Sequence, residues 1–173
     1  MAKYVELRRH TDADGDVLTL EGVRAAVEIG SRLKGGYEVL VSTGAQRATQ
    51  TLACFLAGLG ETVRRGVVVE PRLRSGAEDR WRAAYEKAGS GALEALREAD
   101  PELVEEDSAA LAAGLRRVLD GLPEGGRALV AGHSPTNEAA VLRLAGHMVE
   151  PISKGGGVLV AEEDGAVRVE KLG

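Results

Sequence analysis

Aromatic side chains are scarce in this chain: Tyr4, Tyr37, Phe55, Trp81 and Tyr85 are the full set. The core must come mainly from Val, Leu and Ala, and platforms for stacking bases are not expected. A single cysteine, Cys54, excludes an intramolecular disulfide and a cysteine metal cluster. No stretch of about 18 apolar residues is present, so a membrane-spanning helix is not expected. The opening Met1-Ala2-Lys3-Tyr4-Val5-Glu6 carries no apolar signal region, which makes a cytoplasmic location the expectation. Positive charge is not in excess either. With 27 acidic and 22 basic residues the net charge is −5, which argues against general binding to nucleic-acid phosphates. A local basic pocket stays open.

What is present suits an ordinary globular chain. Hydrophobic residues make up 44% and charged residues 28% of 173 residues, which fits one domain over the whole length with a substantial core. Tyr4 to Leu7 reads as a short strand running into Arg8-Arg9-His10, followed by a polar, flexible stretch from Thr11 to Asp16. Thr19 is placed to cap a helix reaching about Leu33, with Val23, Ala26, Val27, Gly30 and Leu33 on one face. Val39-Leu40-Val41, Val67-Val68-Val69 and Ala128-Leu129-Val130-Ala131 read as strands. The first and last are compact apolar runs of the kind buried on both faces. Helices are expected over about 45–57, 79–99 and 107–119, and after Ser134-Pro135 to about Leu144. The second is weakened by Gly89-Ser90-Gly91. Pro71 to Arg80 reads as a loop. Gly157 to Ala161 and Ala166 to Lys171 form a hairpin about Glu162-Glu163-Asp164-Gly165.

Alternating strands and helices predict a three-layer α/β sandwich with a mostly parallel central sheet and a C-terminal β-hairpin. Ligands in such sheets bind beyond the carboxyl ends of the strands. Three polar clusters fall there: Arg9-His10, Thr43 to Arg47, and Gly132-His133-Ser134. Arginine presents a planar fork of donors matched to phosphate oxygens. A neutral imidazole can attack phosphorus or carry a proton. Together these groups describe a phosphoryl site. Zinc suits it poorly, because only two of the three histidines lie at strand ends and the neighbouring arginines would repel a cation.

These motifs resemble the histidine phosphatase superfamily, also called phosphoglycerate mutase-like, and in size and motifs its small phosphohistidine phosphatases. Leu7-Arg8-Arg9-His10-Thr11 stands where that family has a strand ending in Arg-His-Gly. Leu18-Thr19-Leu20-Glu21-Gly22 matches its Leu-Thr-x-x-Gly helix start. Thr43-Gly44-Ala45-Gln46-Arg47-Ala48-Thr49-Gln50-Thr51 matches Ser-x-x-x-Arg-Ala-x-x-Thr with threonine for serine. Val130-Ala131-Gly132-His133-Ser134-Pro135-Thr136 resembles the late Gly-His block. The resemblance spans about residues 3–173. It implies that His10 is a nucleophile forming a transient phosphohistidine, that Arg9 and Arg47 clamp the phosphoryl oxygens, and that His133 donates to them. No cofactor or metal is implied, and the partner would be a phosphorylated small molecule or phosphoprotein.

Two departures stand out. The glycine after the nucleophile is Thr11, and the family's glutamate beyond the third strand is replaced by Ser75. Glu78 is favoured as proton donor to the leaving oxygen, with Asp79 or no acid as alternatives. Thr11 suits a substrate-facing donor or a plain loop role, and Thr43 a helix cap or a phosphate ligand. Ser134 is a further candidate for binding. Trp81 suits packing or a pocket wall, and Arg8 points away from Arg9 by strand alternation. Arg47 near a helix start opposes the macrodipole, which favours an anion partner. Residues 72–103 are the only region available for a small cap, so hydrolysis is favoured over mutase activity. A phosphate-binding module without turnover is the other alternative.

Overall fold

A computed structural model describes residues 1–172 of the chain. Strand β1 (Lys3–Arg9) leads through a short hairpin, β2 (Ala13–Asp14) and β3 (Val17–Leu18), into helix α1 (Leu20–Ser31). Strand β4 (Val39–Ser42), helix α2 (Gln46–Leu59) and strand β5 (Val67–Val69) follow. A 3-10 turn at Pro71–Leu73 precedes α3 (Glu78–Ala88), α4 (Leu93–Ala99) and α5 (Pro101–Asp120). The chain closes with β6 (Arg127–Gly132), α6 (Thr136–Ala145), β7 (Gly157–Glu163) and β8 (Ala166–Leu172).

The result is the three-layer α/β sandwich. Six strands form one sheet in the order β5-β4-β6-β1-β7-β8. The first four are parallel, and β7 and β8 add antiparallel strands at one edge. Strand alternation divides the apolar residues between two faces. Val5, Leu7, Val39, Val41 and Val130 join Leu111, Leu115 and Val141 from α5 and α6. Leu40, Leu129 and Ala131 join Ala26 and Phe55 from α1 and α2. On that second face β1 carries Glu6 and Arg8 instead of apolar residues. Arg8 Nε donates to Glu6 Oε2 at 2.6 Å and Tyr37 donates to Glu6 Oε1 at 2.9 Å, which partners the buried carboxylate.

Several boundaries differ from expectation for identifiable reasons. Helix α1 is capped by Thr19 as expected, but its buried stripe is Gly22, Ala26 and Gly30. Val23 and Val27 are exposed. The glycines allow backbone approach: a Cβ on Gly30 would lie 2.3 Å from the Phe55 carbonyl oxygen. Within the stretch from Thr11 to Asp16, expected to be flexible, Ala13–Asp14 pairs with Val17–Leu18 as the β2–β3 hairpin, with Gly15 at φ 63°. The stretch 79–99 splits into α3 and α4, with Gly89 ending α3 in the left-handed conformation. Helix α5 starts at Pro101 rather than 107, because Asp100 caps it by accepting from the Leu103 N–H and Pro101 occupies the first turn. Among the described residues no helix is long and apolar enough to cross a membrane.

Candidate active site

The parallel neighbours β4, β6 and β1 end side by side, and their last residues form the site. Arg9 pairs in register with Gly132, and the His10 N–H donates to the Gly132 carbonyl at 2.9 Å. His10 and His133 thereby become neighbours, with ring centroids 5.4 Å apart in an edge arrangement. Gly132 permits this junction, since a Cβ there would lie 2.3 Å from Asn137 Oδ1. Asn137 in turn donates to the Arg8 carbonyl at 3.1 Å, tying the end of β1 to α6.

His10 is held by the residue that follows it. Its Nδ1 lies 2.7 Å from the Thr11 carbonyl oxygen. A carbonyl only accepts, so Nδ1 is the donor, and in the neutral ring Nε2 carries the lone pair. Thr11 is itself buried and engaged within the protein. Its N–H donates to Thr51 Oγ1 at 3.2 Å and its hydroxyl to the Gly22 carbonyl at 2.8 Å. Burial lowers the His10 pKa, and Arg47, Arg9 and Lys154 lower it further against the opposing hydrogen bond to Thr11. His133 is pushed down to about 3, first by burial, then by Arg47, His10 and Arg74. Both rings are therefore neutral at pH 7. His133 Nε2 lies 2.9 Å from Thr43 Oγ1, while its Nδ1 is buried without a partner.

The arginines are held differently. Arg9 Nη1 donates to the Ile152 carbonyl at 3.0 Å, and its buried Nε has no partner. Arg47 Nη1 donates to Asp16 Oδ1 at 2.8 Å, and the same carboxylate accepts the N–H groups of Gln46 and Arg47 at the start of α2. Burial pushes Asp16 up, but these bonds outweigh it and hold the carboxyl below its usual range. Asp16 therefore already provides the anion that Arg47 at a helix start calls for. Arg8 is bound to Glu6 on the far face, as alternation predicts.

A cleft of about 250 Å³ opens beside the strand ends, bounded by Arg47, His133, Ser134, Glu78, Trp81 and Tyr85. Neither His10 nor Arg9 is among its walls. Glu78 lines the cleft and accepts from Arg74 Nε at 2.9 Å. Asp79 is almost fully exposed and pairs with Arg82 instead. Trp81 is both packed and a cleft wall, its Nε1 donating to Asp107 Oδ2 at 2.5 Å. Ser75 donates to the same Asp107 oxygen at 2.6 Å. The Ser134 hydroxyl turns to Glu138 Oε2.

Arg74, Asp16 and Glu138 belong to this neighbourhood and were not singled out by sequence. Arg74 and Asp16 lie in irregular or hairpin segments, where spacing carries no signal. Glu138 sits in the first turn of α6, where an acidic residue reads as a favourable partner of the dipole.

No protein-family model matches the chain, and no curated protein matches it. Solved structures do. A phosphoglycerate mutase from Bacillus anthracis is 20% identical, with 99% of this chain and 92% of that one covered and a TM-score of 0.73. YhfR of Bacillus stearothermophilus is 15% identical over 98% and 96% of the two chains, with a TM-score of 0.75. SixA, a candidate phosphohistidine phosphatase from Agrobacterium tumefaciens, is 17% identical over 97% and 95%, with a TM-score of 0.57. The chain thus has the fold of the phosphoglycerate mutase-like histidine phosphatases.

Proposed function

We propose that this protein is a metal-independent phosphatase that hydrolyses a phosphomonoester or a protein phosphohistidine through a covalent phosphohistidine on His10. The observation that carries the reading is the 2.7 Å contact of His10 Nδ1 with the Thr11 carbonyl, which leaves Nε2 as the nucleophilic nitrogen of a neutral ring. Guanidiniums beside both imidazoles oppose a metal cation and suit an anion. The fold shared with phosphatases and mutases supports the same reading.

In the first step His10 Nε2 attacks phosphorus and the bond to the leaving oxygen breaks. Arg9 and Arg47 hold the phosphoryl oxygens, with Arg47 exchanging Asp16 for the incoming group. His133 donates through Nε2, releasing Thr43. These groups meet the charge spread over the transferring phosphoryl, which is most of what this chemistry requires. Glu78 gives a proton to the leaving oxygen. In the second step it takes one from water, which attacks phosphorus and releases phosphate and His10. Thr11 acts by orienting His10, and residues 72–103 serve as a small cap through the cleft-facing side of α3.

The Arg74 partner on Glu78 favours a rival, a phosphate-binding module without turnover. Hydrolysis of p-nitrophenyl phosphate in EDTA, compared between wild type and His10→Ala, separates the two. Activity lost in the variant supports the phosphatase. No activity in wild type moves the reading to the binding module, and equal activity in both removes His10 as nucleophile.

A further inference from the structure

Helix α6 opens with buried residues from Thr136 to Val141, and one of them is a carboxylate. Glu138 is only 1% exposed. Burying a carboxylate is costly unless its oxygens are well partnered, and an apolar side chain of similar volume would serve the core as well or better. Glu138 is only half partnered. Its Oε1 is buried with no partner. Its Oε2 accepts the Ser134 hydroxyl and, at 3.4 Å, the Ile152 N–H. A buried carboxylate with an orphaned oxygen is not explained by packing, so its two partners must supply the explanation.

Both partners lead to the anion site. Ser134 follows His133 directly and lines the cleft. Ile152 lies in the irregular segment between α6 and β7, and its carbonyl accepts from Arg9 Nη1 at 3.0 Å. That is the one hydrogen bond of the Arg9 guanidinium among the described residues. Glu138 reaches Arg9 through the backbone of one residue, Ile152, and His133 through the adjacent serine.

We propose that Glu138 is a positioning residue that fixes Arg9 and the His133–Ser134 turn at a set separation, so that both meet the same phosphoryl group. The inference rests on the phosphatase reading above. Glu138 touches no reacting atom in this scheme; it acts through its two hydrogen-bonded neighbours. Burial pushes its carboxyl up, against the hydrogen bonds from Ser134 and Ile152 and the charge of Arg9. Glutamine, of the same shape, is its conservative replacement, because its side-chain carbonyl keeps an acceptor for both neighbours. Methionine keeps the volume and removes the acceptors.

The test compares full-length wild type, His10→Ala, Glu138→Met and Glu138→Gln. The readouts are kcat and KM on p-nitrophenyl phosphate, competitive inhibition by inorganic phosphate, and Tm. Glu138→Met is expected to fold with a Tm modestly below wild type, since the Ser134 hydroxyl and the Ile152 N–H lose their acceptor, while losing about 10- to 100-fold in kcat/KM, the scale of a small misplacement of reacting groups. Its inhibition by phosphate should weaken in parallel. Glu138→Gln should recover most of both losses, which a purely structural role would not require. A folded Glu138→Met with wild-type kcat/KM and wild-type phosphate inhibition overturns the proposal. So does a folded Glu138→Gln with a tenfold loss, and this arm holds if the methionine variant does not fold. His10-independent turnover, or none in wild type, overturns the phosphatase reading itself and the inference with it.

Discussion

Acid should weaken this fold partly through His133, and the size of the effect follows from its burial. The imidazole is pushed down to about 3 by burial, then by Arg47, His10 and Arg74, against an ordinary value of 6.5. Between those values the unfolded chain binds a proton that the folded site refuses. Stability therefore rises with pH from about 3 to about 6.5 through this group and is level above. At about pH 4.5 the unfolded histidine is two pH units into its titration while the folded one is still neutral. At about 1.4 kcal/mol per unit this removes roughly 3 kcal/mol. For a protein of this length that corresponds to roughly 5–10 °C in Tm. Thermal unfolding of wild type and His133→Gln at about pH 7.5 and about pH 4.5 isolates the contribution. Glutamine can keep a hydrogen bond to Thr43, and the carboxylates titrate in both proteins. The variant should lose less stability on acidification by about that amount. Equal losses would refute the burial argument and, with it, the neutral His133 in the proposed mechanism.

Three further outcomes follow from the same geometry. Burial and the nearby cations Arg47, Arg9 and Lys154 lower the His10 pKa, so NMR titration should place its midpoint below 6.5; a midpoint above that value contradicts a preformed neutral nucleophile. Glu78→Gln should slow substrates with poor leaving groups by about 10²–10⁴-fold and p-nitrophenyl phosphate far less; equal effects on both would remove Glu78 as the acid. Gly30→Ala would put a Cβ 2.3 Å from the Phe55 carbonyl, so denaturant unfolding should record a loss of about 1–3 kcal/mol. An unchanged midpoint would mean that α1 and α2 separate easily.

The elements most legible in the sequence are those whose signals are local and redundant. Val39-Leu40-Val41 and Ala128-Leu129-Val130-Ala131 read as strands covered on both faces, and they are. Asp164-Gly165 closes the C-terminal hairpin with two residues at positive φ, as a tight turn between twisted strands requires. Because β4, β6 and β1 lie side by side in parallel, their ends bring Thr43, His133 and His10 together. The side of α1 that packs was harder to read. Apolar periodicity places Val23 and Val27 on the packed face with Ala26 and Gly30, but close approach of Gly30 to Phe55 in α2 and of Gly22 to the Asp12 backbone turns the buried stripe to Gly22, Ala26 and Gly30 and leaves both valines exposed. Asp100 and Pro101 fall between the helices expected over 79–99 and 107–119, yet the pair is a cap and a first helical residue, so α5 extends further back than expected. Thr11 in place of glycine was ambiguous because its hydroxyl partner, the Gly22 carbonyl, is set by tertiary packing. Asp16 and Glu138 escaped for the same reason: what makes them notable is which distant group they face, Arg47 for one and Ile152 for the other.

The covalent intermediate on His10 is the most direct point of attack. Wild type mixed with labelled p-nitrophenyl phosphate and quenched in alkali should carry label that is lost in acid and maps to His10, and His10→Ala should carry none. Turnover without any trapped label on His10, or label found on His133 instead, would contradict the assignment of the nucleophile.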